Sequence, residues 1–229
     1  MKLIEITSTS DETNIENTAE FLIQNCKPFI QAMNYNVADN RLCRGLKVEY
    51  IQRVNYPDAE LFVIPGHIKG RQPVDTPPII HNSLNKLFVK KFGVPFRDGI
   101  FTSPLVSVAW NYGNMAGWVL PIGNFKFLWS PVIRDLYATY INMVKDAGVY
   151  SHTSDADKIE KMKIFNDTFA QKIIDIGNYK STDLPAAIPS HNEIMIYCNK
   201  CYVLRADGEN QNTNLAILKN IQRKGAWRR

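Results

Sequence analysis

The stretch Arg97-Asp-Gly-Ile-Phe-Thr-Ser-Pro-Leu-Val-Ser-Val-Ala-Trp-Asn-Tyr-Gly113 reads as a short strand, a hydroxyl pair and a helix that stops at glycine. Ser103 followed by Pro104 predicts a capped helix start, because proline in the first turn gives up no hydrogen bond the helix needs. A capping serine uses its oxygen as acceptor and keeps a proton to donate. Thr102 and Ser103 can therefore serve the helix and a site at once.

Upstream of this junction, Ile15, Ala19, Leu22, Cys26, Ile30 and Met33 recur at steps of three and four, which predicts helix over 11–33, interrupted at Pro28. Residues 41–51 alternate as a strand, with Leu42, Arg44, Leu46 and Val48 on one face and Cys43, Lys47 and Glu49 on the other. Between 52 and 98 six prolines break regular structure and leave room only for short pieces such as 81–91.

Downstream, 118–131 reads as two strands broken near Pro121–Asn124, and 132–147 reads as helix. Helix over 155–176 follows from a stripe of Ile159, Met162, Phe165, Phe169, Ile173 and Ile176, with Ser154 as cap and Gly177 as stop. Residues 178–192 form a polar, proline-bearing loop, and 193–204 supply closing strands. Helices and strands come in separate runs, so the expected class is α+β, in a single domain spanning 1–229.

Composition is that of an ordinary globular chain: 229 residues, 45% hydrophobic and 21% charged. No apolar run approaches the roughly 18 residues of a membrane helix, and the first residues lack a secretory layout, which predicts a cytosolic protein without a membrane. The net charge of +5 is uneven: residues 1–25 are acidic, whereas 219–229 carry Lys219, Arg223, Lys224, Arg228 and Arg229 with no acid and read as a solvated basic tail. Cys198 and Cys201 form a lone C-x-x-C without the further ligands a zinc site needs. Within one strand they would point to opposite faces, so no metal is expected.

Three residues do not sit comfortably as scaffold alone, although each has an ordinary structural reading. Arg44 shares a strand face with apolar residues, and a buried guanidinium requires an anion, either a carboxylate of the fold or a ligand phosphate. Gly45 beside it would allow a close backbone approach. Ser103 is the second. Glu193 is the third, opening an apolar strand straight after a flexible loop; it reads either as a solvated strand-end acid or as a catalytic group on a rigid edge.

Taken in order, Leu42-Cys-Arg-Gly45, Phe101-Thr-Ser103 and Glu193 resemble the Arg–Ser–Glu pattern of mono-ADP-ribosyltransferases. The surroundings, Ala109-Trp-Asn-Tyr-Gly113 and Ser190-His-Asn-Glu-Ile-Met195, are similar to bacteriophage-encoded members, and the resemblance spans roughly 15–205. It implies an α+β fold with a split β-sheet core and an N-terminal helical region, clasping NAD as co-substrate with no metal.

In that scheme Arg44 holds a phosphate or the nicotinamide-side ribose, with Gly45 and Tyr112 beside the cofactor. Thr102 and Ser103 line the nicotinamide pocket, and Ser103 orients the catalytic Glu193. His191, two residues before the glutamate, takes the acceptor-selecting position, where the family commonly carries Glu or Gln. Phe101 likewise replaces a hydroxyl residue of the family's serine motif. The implied acceptor is a host protein, with a nucleic acid as the alternative, and the implied setting is host cytoplasm or a virion. The rival readings are a non-enzymatic virion or assembly protein that keeps the fold, and an NAD glycohydrolase using the same site. A nucleic-acid-binding protein ranks last, since no helix-turn-helix or basic, aromatic-laced strand pair is present.

Overall fold

The structure, a computed structural model, describes residues 7–47, 52–56, 59–71, 76–148 and 155–226. Two helices open the chain, α1 (Thr7–Asn25) and α2 (Lys27–Ala32), separated at Cys26 because Pro28 is accommodated only in a first helical turn. The strands are β1 (Cys43–Leu46), β2 (Gln52–Tyr56), β3 (Ala59–Pro65), β4 (Ile100–Thr102), β5 (Met115–Pro121), β6 (Phe125–Trp129), β7 (Ile194–Cys198) and β8 (Lys200–Arg205). Helices α3 (Pro78–Phe92), α4 (Val106–Ala109), α5 (Leu136–Asp146), α6 (Asp155–Ile176), α7 (Leu184–Ala187) and α8 (Gln211–Ala226) complete it. The class is α+β.

The strands form two antiparallel sheets, one of order β1-β5-β8-β3-β2 and one of order β4-β7-β6. The chain crosses between them four times: from β3 to β4, from β4 to β5, at Ile122–Asn124 from β5 to β6, and at Asn199 from β7 to β8. A further link is an isolated bridge in which Cys43 and Ser103 exchange backbone hydrogen bonds of 2.7 and 2.9 Å. Through it β1, β4 and β7 become consecutive neighbours.

Strand β7 shows why the small sheet stays rigid. Ile194, Ile196 and Cys198 join a core made by α1, α2, α8 and the five-stranded sheet, while Met195 joins a second core made by α3, α5 and α6. Alternate side chains thus bury on both faces, as the two-residue period of a strand dictates. Helix α3 ends where Gly93 takes φ 74°, a left-handed stop that glycine adopts without steric cost.

Four expectations are corrected. The basic segment 219–229 is not a free tail through its described part: it continues α8, which buries Ile217, Leu218 and Ile221 and pairs Lys224 with Glu20 at 2.6 Å. Cys198 and Cys201 do not point apart, since the chain changes sheet between them and brings their sulfurs to 3.2 Å. The helix after Ser103 starts at Val106, because Leu105 is still extended (φ −96°, ψ 118°). Ile176 of the α6 stripe is 45% exposed, lying in the last turn beyond the core. The side chains of Ile159 and Met162, the cap Ser154 and the strand beyond Lys47 lie outside the described residues. No described helix is long and apolar enough to cross a membrane.

Candidate functional site

Where β1, β4 and β7 run side by side, they flank a cavity of about 250 Å³. Arg44, Gly45, Thr102, Ser103, Tyr112, His191 and Glu193 all line it, so every residue singled out from the sequence meets in one place. The register explains the convergence. Thr102 pairs with Ile194 across β4 and β7, which sets Glu193 at the mouth end of that pair, and Ser103 bridges back to Cys43 beside Arg44.

Arg44 is half-buried, and its Nη1 donates to the Phe101 carbonyl at 3.1 Å. Its Nε is sealed from solvent with no hydrogen-bond partner, and no carboxylate pairs with it among the described residues. Burial, reinforced by the neighbouring Arg71 cation, lowers its pKa to about 10. Among the described residues no carboxylate supplies the partner that an internal ion pair would require.

Thr102 and Ser103 turn out to play different roles. The Thr102 hydroxyl donates to Ile194 O at 2.8 Å, so its proton is spent on holding β4 to β7. Ser103 Oγ accepts from Leu105 N at 3.1 Å, a local side-chain turn rather than a helix cap. No hydrogen bond joins Ser103 to Glu193 among the described residues, so the expected direct bracing is corrected. The glutamate is placed by its backbone instead. Its N donates to Arg134 O at 3.0 Å, and the preceding Asn192 donates Nδ2 to Ser130 O at 2.8 Å.

At Gly45 a Cβ would stand 2.0 Å from the Ala109 carbonyl, so the glycine admits helix α4 against β1 while also lining the cavity. Tyr112 is 54% exposed at the rim. His191 is exposed too, with a left-handed φ of 56°, on the turn that leads into Glu193.

Glu193 is not a solvated strand-end acid. Its side chain is 28% exposed and lies across the cavity wall from Arg97, whose Nη1 is 3.8 Å from Oε1. Burial pushes the carboxyl up to about 7; Arg97 opposes this, Asp135 adds to it and Arg71 opposes it.

Among the cavity residues that escaped the sequence reading are Arg71, Thr76, Arg97, Arg134, Asp135 and Tyr137. Arg71 Nη1 donates to Gly99 O at 2.8 Å and its guanidinium lies 4.8 Å from the Phe101 ring centroid. Asp135 caps α5, accepting from Ala138 N at 2.8 Å. Arg97 was in plain view at the head of the decisive stretch, but a charged residue before a strand reads as solvated loop. Among the described residues, four guanidiniums and two carboxylates line the cavity, an excess of positive charge that suits an anionic ligand. No described group of three His, Cys, Asp or Glu side chains could hold a metal.

Comparison with known proteins returns no match: no family model, no curated protein and no solved structure matches the chain.

Proposed function

We propose that this chain is a mono-ADP-ribosyltransferase of the Arg–Ser–Glu type. It transfers ADP-ribose from NAD to a macromolecular acceptor and releases nicotinamide; the acceptor is a host protein, as befits a phage-encoded enzyme. The observation that carries the reading is Arg44. Its guanidinium lines the cavity without a carboxylate partner among the described residues, and a cation left so is costly unless a ligand supplies the anion. The diphosphate of a dinucleotide is such an anion, and the planar donor fork of arginine suits phosphate oxygens.

Glu193 supplies the complementary chemistry. In the reaction the bond between ribose C1′ and the nicotinamide nitrogen breaks, and its electron pair leaves with nicotinamide. Positive charge then develops on the sugar until the acceptor nucleophile closes on C1′. A fixed carboxylate beside that carbon stabilises the charge, as carboxylates do in glycoside cleavage. Arg44 and Arg71 hold the diphosphate, Ser103 keeps its hydroxyl proton for the nicotinamide or ribose, and Tyr112 borders the entrance. Exposed His191 stands where an acceptor would approach.

The test is incubation with NAD labelled on the adenylate, with and without a bacterial lysate, while following nicotinamide release. A labelled macromolecule bears the reading out. Free ADP-ribose as the sole product assigns NAD glycohydrolysis, and NAD left intact and unbound overturns both in favour of a protein without this activity.

A further inference from the structure

We propose that Arg97 is a positioning residue for Glu193, its fixed guanidinium favouring the charged form of that carboxylate at the cavity before any substrate enters. Its catalytic consequence rests on the transferase reading above, but the contact itself does not.

Arg97 is immobilised to an unusual degree for a long side chain. It is 4% exposed, Nη2 donates to Thr76 Oγ1 at 2.9 Å, and its guanidinium lies 4.5 Å from the Phe101 ring centroid. Its backbone N donates to Asn85 Oδ1 at 2.8 Å. The same Asn85 donates to Asp98 Oδ1 at 2.8 Å, and His81 Nε2 meets that oxygen at 3.2 Å. The turn carrying Arg97 is thus pinned to α3 on one side while its guanidinium is pinned to the cavity wall on the other.

Within 4 Å the guanidinium has one described counter-ion, Glu193, since Asp98 next to it in the chain turns toward His81, Asn85 and Gly70. At 3.8 Å the contact is Coulombic rather than a hydrogen bond. Arg97 therefore favours the charged carboxylate without occupying the oxygens that a ribose hydroxyl would use. Arg97 Nε has no hydrogen-bond partner either, so the charge is not spent elsewhere. The remaining groups around Glu193 divide between the two signs. Asp135 at the start of α5 opposes its ionisation, and Arg71 after β3 assists; the buried Tyr179 after α6 is itself pushed up by burial and by Glu193 and stays neutral beside it. Arg97 is the nearest of the cations and the one that cannot swing away.

The deciding experiment titrates the Glu193 side-chain carboxyl by carbon-13 NMR in the ligand-free protein. Glu193→Gln serves to assign the signal, and wild type, Arg97→Lys and Arg97→Met are compared. An opposite charge at this range is expected to move a carboxyl by about 1 pH unit or more. Arg97→Met should raise the midpoint by that amount, and Arg97→Lys should stay near wild type. The acid limb of nicotinamide release should move with it, while KM for NAD changes little. An unchanged midpoint in Arg97→Met, with a KM that rises severalfold, makes Arg97 a phosphate ligand and overturns the proposal. Should Arg97→Met not fold, Thr76→Val, which frees the guanidinium from its anchor, must raise the midpoint in the same direction or the proposal fails. Wild type that releases no nicotinamide removes the transferase reading and leaves the titration to decide Arg97 alone.

Discussion

Thr102 and Ile194 lie opposite each other in the β4–β7 ladder, and the Thr102 hydroxyl donates to the Ile194 carbonyl at 2.8 Å. That contact fixes the strand carrying the hydroxyl pair against the strand that Glu193 precedes. A one-residue slip would reverse every side chain of β7 between its two cores, so the buried faces enforce this register. Glu193 is therefore held at the cavity by packing, not by a serine.

Glu193→Gln keeps size and removes the charge that, on the proposed reading, would face the sugar. Nicotinamide release is expected to fall roughly 10²–10³-fold, as for loss of a preorganised electrostatic contact. NAD affinity, measured by calorimetry, should be largely retained because Arg44 and Arg71 remain. Turnover at the wild-type rate would remove Glu193 from the chemistry.

Arg44→Ala should weaken NAD binding by about 2–3 kcal/mol, the cost of a lost charge-assisted contact. Since no carboxylate pairs with Arg44 among the described residues, the melting temperature should not drop as it would on breaking a buried ion pair. A collapse in melting temperature with unchanged affinity would make the residue structural.

Ser103→Ala removes an acceptor from Leu105 N and a free hydroxyl proton from the cavity. The local loss is about 1 kcal/mol of stability in chemical denaturation. A fall in turnover beyond that found in folded-protein-normalised assays assigns the proton to the substrate. Equal turnover assigns Ser103 to the loop.

Gly45→Ala places a Cβ 2.0 Å from the Ala109 carbonyl and must push α4 off β1. A destabilisation of about 1–3 kcal/mol is expected from such overpacking. The rim carrying Tyr112 should move with the helix, raising KM for NAD. A variant as stable as wild type would show that α4 can shift freely.

The pH dependence follows from the Glu193 carboxyl, raised from the ordinary 4.5 to about 7 mainly by burial. On the transferase reading the ionised form is the active one, so nicotinamide release should climb about tenfold per pH unit below that value and level off above it. The sign for stability is opposite. Between 4.5 and about 7 the folded chain holds a proton that the unfolded chain releases, so this group's contribution to stability declines as pH rises through that window. A rate profile flat from pH 5 to 8 would exclude Glu193 as the group whose charge matters.

Much of this molecule is written locally. The steps of three and four through α1 and α2, the interruption at Pro28, the break between β5 and β6, and the helix over 155–176 each follow from short-range periodicity and backbone chemistry. Arg44, Ser103 and Glu193 are each only weakly marked in one dimension, since a buried ion pair, a helix cap and a strand-end acid account for them singly; it is their order along the chain, with its resemblance to the Arg–Ser–Glu pattern, that singles them out. What no local pattern carries is adjacency between distant segments. The Cys43–Ser103 bridge, the turn of the chain from one sheet to the other at Asn199, and the meeting of Arg97 with Glu193 depend on long-range strand order. The basic segment after 219 misleads for the same reason: within its described part Arg223 and Lys224 pair with Glu16 and Glu20 of the packed helix α1, a partner far away in the chain. Hydrogen-bond roles are decided last of all, since whether Ser103 serves a backbone amide or a carboxylate depends on where Leu105 and Glu193 come to rest, a matter of ångströms that only the assembled core fixes.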